Sequence, residues 1–242
     1  MQDEVKPANP SPHILSRFDG DLGYFRSLVL DMGNRVREQV VLSSEALGTC
    51  DVGKARKVIH DHRIVRDLDI QALEANTKLF AIHKPVARDL RFVLTLSRAV
   101  YDLERIGGES VRMADIAEGL YDYQPHMREC VIFEDVGRMA KPAVDLLDRS
   151  LKALADENVR LAADVAFDTK DLEELFKGSI RRLATYLMED PRNIRWVIDA
   201  TLGIKALERI GDHAGSIARN LIFSVTGKDV RHVHVATLAA TT

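Results

Sequence analysis

Apolar and small residues recur along this chain at alternating steps of three and four, the spacing of one helical face. The first run passes through Leu22, Phe25, Val29, Met32, Val36, Val40, Ser43 and Leu47 and predicts a helix from about Asp19 to Leu47. Gly48, Thr49 and Cys50 break the pattern, and Asp51 is placed to cap the next helix. A second helix is predicted over Val52–His83 and a third over Pro85–Leu120, with Pro85 suited to the first helical position. The plan then repeats as Met127–Ala155, Val159–Met188 and Pro191–Val225. Pro142 is a point of kink or break, Asp190 a cap, and Gly227 a stop. Period-two runs and Asn-Gly hairpins are absent from the sequence, so no sheet is expected. The expected fold is all-α: six long helices in two tandem three-helix bundles, each helix about 45 Å long. Residues 1–17 read as an N-terminal arm, 18–121 as repeat one, 122–228 as repeat two and 229–242 as a tail.

The two halves share more than a plan. Leu103-Glu104-Arg105-Ile106-Gly107 recurs 104 positions later as Leu207-Glu208-Arg209-Ile210-Gly211. Each copy sits in the same register of an apolar face. One face runs through Leu96, Ala99, Leu103, Ile106, Ser110, Met113 and Ala117, the other through Ala200, Gly203, Leu207, Ile210, Ala214, Ile217 and Leu221. The glutamate lies one residue past the seam, turned about 100° from it. In the second copy Asp212 follows Glu208 by one turn and stacks above it.

Composition narrows the classes. Of the 242 residues, 46% are hydrophobic and 29% charged, enough for one large or two modest cores. A net charge of −3 and the lack of a basic run argue against a nucleic-acid partner. Cys50 and Cys130 are far apart and in no metal or redox spacing. No apolar run approaches the roughly 18 residues of a membrane span, and the N-terminus has no signal-peptide pattern. The expected location is cytoplasmic, with no direct membrane span.

The candidate chemistry is a set of acids in repeat two. If the hairpin between the last two helices turns at about residue 190, Asp168 lies level with Asp212 and Asp171 with Glu208, while Asp164 sits one turn from Asp168. Carboxylates meeting between two helices repel unless a cation or proton neutralises them. Oxygen-only ligands suit Mg²⁺, Mn²⁺ or Ca²⁺, and also iron. The other reading is a solvated flank, its acids paired with Arg209, Arg105, Lys205 or Arg219. Repeat one offers fewer acids. Asp67 is level with Glu104 and Asp61 lies nearby, but the counterparts of Asp168 and Asp212 are Ile64 or Val65 and Gly108. His60 and His62 read as surface histidines, and Glu109 points away from Gly108. Gly107, Gly108, Gly203 and Gly211 each cost a helix about 1 kcal/mol against alanine, and close helix approach is the expected return. No Glu-x-x-His, Ser/His/Asp or Cys/His arrangement supports an enzyme. A metal-dependent carboxylate enzyme and a purely structural bundle remain as alternatives.

With those residues in view, the chain resembles the PhoU family of bacterial phosphate-signalling regulators. The resemblance rests on Phe18-Asp19-Gly20-Asp21-Leu22, on Pro85-Val86-Ala87-Arg88-Asp89-Leu90-Arg91 followed by Asp102–Gly107, on Leu207–Ala214, and on the closing Thr226–His232. It implies two three-helix bundles with (Glu/Asp)-x-x-x-Asp metal motifs, matched here by Asp164/Asp168 and Glu208/Asp212. Repeat one departs, since Asp61 is followed by Val65 and Glu104 by Gly108. The ions implied are Mg, Mn, Fe or Zn. Also implied is a non-enzymatic homodimer, peripheral to the inner membrane, that restrains phosphate uptake and the starvation response. Its implied partners are the ATPase subunit of a Pst-type transporter and a PhoR-type sensor histidine kinase. The Arg88, Asp89 and Arg91 corner is a candidate docking point, the alternative being a helix start tied to a neighbour.

Overall fold

In the computed structural model, which describes residues 12–121 and 132–230, six long helices account for nearly all of the described residues. They are α1 (Pro12–Thr49), α2 (Val52–His83), α3 (Ala87–Leu120), α4 (Ile132–Asp156), α5 (Val159–Glu189) and α6 (Ile194–Thr226). Among the described residues there is no strand. The expected N-cap at Asp51 forms, accepting from the Lys54 amide at 3.0 Å, and Asn158 caps α5 in the same way on Leu161 at 3.0 Å.

Three boundaries differ from expectation. α1 begins at Pro12 rather than near Asp19, with proline at its first position, where no intrahelical N–H is needed. α3 begins at Ala87, not Pro85, because Lys84 turns left-handed (φ 46°) and Val86 stays extended (φ −128°) as the N-cap. α6 begins at Ile194, because Pro191–Asn193 form a 3₁₀ turn first, capped by Asp190 on the Arg192 amide at 3.0 Å. Pro142 lies inside α4, which continues through it. The expected start of α4 at Met127 lies outside the described residues.

The packing goes further than two bundles side by side. α1 and α3 of repeat one pack against α4 and α6 of repeat two, and α3 against α6 is the most extensive helix pair. α2 packs chiefly on α1 and α3, and α5 on α4 and α6, so each covers one outer side. One hydrophobic core runs through all six helices. Leu47 of α1 fills the space over Gly203 of α6, and Leu151 of α4 fills that over Gly33 of α1. Side chains at those glycines would collide with the facing leucines, which is the close approach expected of Gly203.

Candidate functional site

The two Leu-Glu-Arg-Ile-Gly copies face each other where α3 and α6 cross antiparallel. A ladder of polar contacts fixes this crossing. Thr95 Oγ1 donates to the Asn220 carbonyl at 3.1 Å, and Arg98 Nη1 to Asn220 Oδ1 at 3.1 Å. Further along, Asp102 Oδ1 lies 2.9 Å from His213 Nδ1, and Arg209 Nη1 donates to Glu109 Oε1 at 2.8 Å. Ile106 and Ile210 are fully buried between these pairs.

Sequence reasoning missed Asp102, His213 and Glu109 as a set. A signal was present: Thr95, Asp102 and Glu109 are seven apart on α3, and so are Ala206, His213 and Asn220 on α6. Such a stripe beside an apolar seam marks a second helix contact. α6 packs on three helices, α3, α4 and α5, and buries most of its circumference, including Ala206, Leu207, Glu208, Ile210 and Gly211. Glu208, expected on a flank, is therefore buried.

The acids of repeat two fall into separate arrangements. Asp168 accepts from Arg149 Nη2 at 2.7 Å, while Asp164 and Asp171 are exposed. Glu208 Oε2 lies 2.5 Å from Lys205 Nζ. That contact has no hydrogen-bond geometry, so the oxygen is buried close to a cation without a directed donor. Asp212, one turn on, remains open at its edge. Burial and then the Glu208 carboxylate hold its pKa above the ordinary carboxylate range, with Lys205, Arg219 and His213 acting the other way.

The helical register explains why neither expected level pair forms, Asp168 with Asp212 or Asp171 with Glu208, and sets Asp171 nearer the level of Asp212. A side chain at Gly211 would strike Leu172 and one at Gly215 would strike Thr169. α5 and α6 are therefore paired roughly one turn away from the register that sets Asp168 level with Asp212. The 3₁₀ turn at Pro191–Asn193 displaces the pivot.

In repeat one Asp61 pairs with Lys57 Nζ at 2.5 Å, and that lysine holds its pKa below the usual range. Asp67 is exposed, and half-buried Glu104 has Arg105 Nε at 3.6 Å. His62 is no plain surface histidine: it is half-buried over Gly107 and lies 3.4 Å from Gln39 Oε1. Burial pushes its pKa down, and Glu104 partly opposes this. Gly107 makes a close approach, whereas Gly108 has open space around it. Among the described residues, no three His, Cys, Asp or Glu side chains are grouped to hold an ion. Glu208 and Asp212 are near neighbours, but with Lys205 beside them they make a two-carboxylate edge, not a cage. As placed, the residues do not fit a caged metal.

The α2–α3 corner is engaged within the chain. Arg88 Nη2 donates to Glu157 at 3.1 Å, across to the α4–α5 corner, and Arg91 Nε donates to the Ser224 carbonyl at 3.0 Å near the end of α6. Asp89, in the first turn of α3, is exposed. This is the arrangement of a helix start tied to its neighbours.

A family model described as the PhoU domain matches this chain twice, over residues 29–117 and 136–221. A Burkholderia protein described as a phosphate-specific transport system accessory protein PhoU homolog is 32% identical over 229 residues, covering 94% of this chain and 96% of the relative. The Escherichia coli phosphate-specific transport system accessory protein PhoU is 31% identical over 225 residues, covering 93% and 92%. The crystal structure of PhoU from Pseudomonas aeruginosa superposes with a TM-score of 0.83 at 33% identity, covering 87% of this chain and all of that one.

Proposed function

The chain belongs to the PhoU family, and on that premise we propose that it is an accessory protein of a bacterial phosphate transporter that restrains phosphate uptake and the starvation response. The observation that carries this reading is kinship along nearly the whole chain with proteins described as accessory to phosphate-specific transport. The proposed means is non-catalytic. The protein joins the ATPase subunit of a Pst-type transporter to a PhoR-type sensor histidine kinase on the cytoplasmic side. Six helices with one shared core form a firm body suited to presenting two surfaces at once. Among the described residues no helix is long and apolar enough to cross a membrane. The contact proposed is peripheral. A divalent cation would be an addition at the Glu208 and Asp212 edge, not the basis of the role.

The test is a deletion in a strain with no second gene of this family. An alkaline-phosphatase or transporter-promoter reporter should then stay on in phosphate-rich medium and be silenced again by a plasmid copy. A reporter that stays repressed in the deletion contradicts the reading.

A further inference from the structure

The repeats diverge where the outer helix meets the helix carrying Leu-Glu-Arg-Ile-Gly. Aligning α2 with α5 on their N-caps, Asp51 and Asn158, sets Ala55 on Ala162, Val58 on Val165, Val65 on Leu172 and Ala72 on Ser179, all buried. The same alignment puts Asp69 where repeat two has Phe176, Arg66 where it has Glu173, and Ile70 where it has Lys177. On the facing helix, Tyr101 replaces Lys205 and Glu104 matches Glu208.

In repeat two these side chains pack on one another. Phe176 packs against the core, and Lys205 Nζ lies 4.8 Å from the centre of its ring and 2.5 Å from Glu208. Lys177 lies 2.9 Å from both Glu173 and Glu174. The result is an aromatic plug, a cation on its face, and a carboxylate answering the cation.

In repeat one the plug is missing. A groove of about 460 Å³ lies open between α2 and α3. Phe25, Ala72 and Val100 line its floor, and Ile70, Leu73 and Tyr101 line its walls with exposures of 56%, 64% and 57%. Its rim carries Arg66, Asp69 and Glu104. Among the described residues, Arg66 and Asp69 have no hydrogen bond or ion pair, while Glu104 lies near His62 and 3.6 Å from Arg105, whose guanidinium also sits 5.1 Å from the centre of the Tyr101 ring. From Arg66 to Asn76 the groove runs about 15 Å along α2, close to three helical turns. Three large apolar side chains exposed side by side mark an interaction surface.

We propose that this groove docks an amphipathic helix of a partner protein. The helix places an aromatic or branched side chain where Phe176 lies in repeat two, and a lysine or arginine against Glu104 and Asp69. Repeat two supplies the template for this chemistry, because its own Phe176 and Lys205 occupy the equivalent space against Glu208. The mode is a helix laid in a groove with its anchors on successive turns. That the occupant is a signalling or transport partner rests on the adaptor reading; the chemistry of the groove does not.

The probe is a labelled alanine-based peptide of about 20 residues, long enough to hold a helix, with Leu, Phe and Lys on successive turns of one face. Titrated into the full chain, it should bind saturably. Glu104→Gln, or Lys→Glu in the peptide, should each weaken binding about tenfold, the loss of one charge-assisted contact. Asp69→Phe, which installs the plug of repeat two, should abolish binding without lowering the melting temperature. Leu73→Glu, at an exposed position, serves as a second block should Asp69→Phe fold poorly. No saturable binding, binding that survives both blocks, or binding unchanged by Phe→Ala in the peptide would overturn the proposal. So would a wild-type dimer that Asp69→Phe dissolves, because a second copy would then fill the groove. In cells, a deletion that derepresses starvation genes while Asp69→Phe does not would sink the groove and leave the adaptor reading standing. Peptide binding as described, with a silent deletion, would do the reverse.

Discussion

Repeat one and repeat two share the five residues Leu-Glu-Arg-Ile-Gly but use the surrounding positions differently. The shared stretch lies at the α3–α6 crossing, where Ile106 and Ile210 are buried, while Gly107 and Gly211 admit side chains of their own bundles, His62 and Gln39 over one and Leu172 and Leu146 over the other. The differences lie on the flanks. Repeat two has Asp212 where repeat one has Gly108, and Asp164 where it has Lys57. Identity between the halves therefore marks packing that each bundle repeats, whereas the contacts across the crossing come mostly from positions that differ, Asp102 and Glu109 on α3 against His213 and Arg209 on α6.

The glycines separate the two halves most sharply. Gly211 has Leu172 and Leu146 against it, while Gly108 faces open space. Gly211→Val should lower stability by about 1–3 kcal/mol through overpacking. Gly108→Ala should raise it by about 0.5–1 kcal/mol by relieving glycine's backbone entropy in a helix. Urea unfolding measures both, and two changes of the same sign would contradict the packing described.

The polar ladder comes next. Asp102→Ala leaves the partly buried His213 without its carboxylate and should cost about 1–3 kcal/mol. Glu109→Ala also removes an oxygen, Oε2, that is buried without a hydrogen bond, and should cost less than about 1 kcal/mol. Thermal melts of the two variants should keep that order.

A smaller effect separates the repeats by pH. The pKa of His62 is depressed by burial, so its neutral form is favoured in the fold. Its contribution is present above the ordinary histidine value of about 6.5 and is lost as pH falls below it. Asp212 has the opposite sign: its raised pKa means that the fold binds the proton more tightly than the unfolded chain. Acidification towards the ordinary carboxylate value of about 4 therefore favours repeat two. His62→Leu should flatten the loss below neutrality. Asp212→Asn should stabilise slightly at pH 7, with the advantage fading as pH falls. Melting temperatures across that range test both signs, and a gain from Asp212→Asn that grew on acidification would contradict this one.

The smallest expected effect is that of cations. Added Mn²⁺ should stabilise the chain by only about 0.4 kcal/mol when its concentration equals its Kd. Asp212→Ala should remove that increment, and Gly108→Asp should not create a second one. Aligned on the helix caps, repeat one has Ile64 and Lys57 where repeat two has Asp171 and Asp164. A large shift that survives Asp212→Ala would place the ion elsewhere.

The helices were legible because the three-and-four spacing of apolar residues names the buried face directly, and Asp51 announced its cap. A helix's periodicity does not name its partner, so the seam through Asp102 and His213 was not read as a joint between bundles. The level of the acids was misjudged for a local reason. Asp190-Pro191 reads as a cap and a first helical residue, but a 3₁₀ turn intervenes and moves the α5–α6 register by about one turn. The Phe176 plug was equally hidden, because it depends on aligning the outer helices by their caps and not by the spacing of Leu-Glu-Arg-Ile-Gly.

The adaptor reading is tested most directly by equilibrium binding of the purified full chain to two proteins separately: the ATPase subunit of the phosphate transporter and the cytoplasmic portion of the sensor kinase. Saturable binding to both is expected, with Asp69→Phe weakening at least one and leaving the melting temperature unchanged. Saturable binding to neither would contradict it.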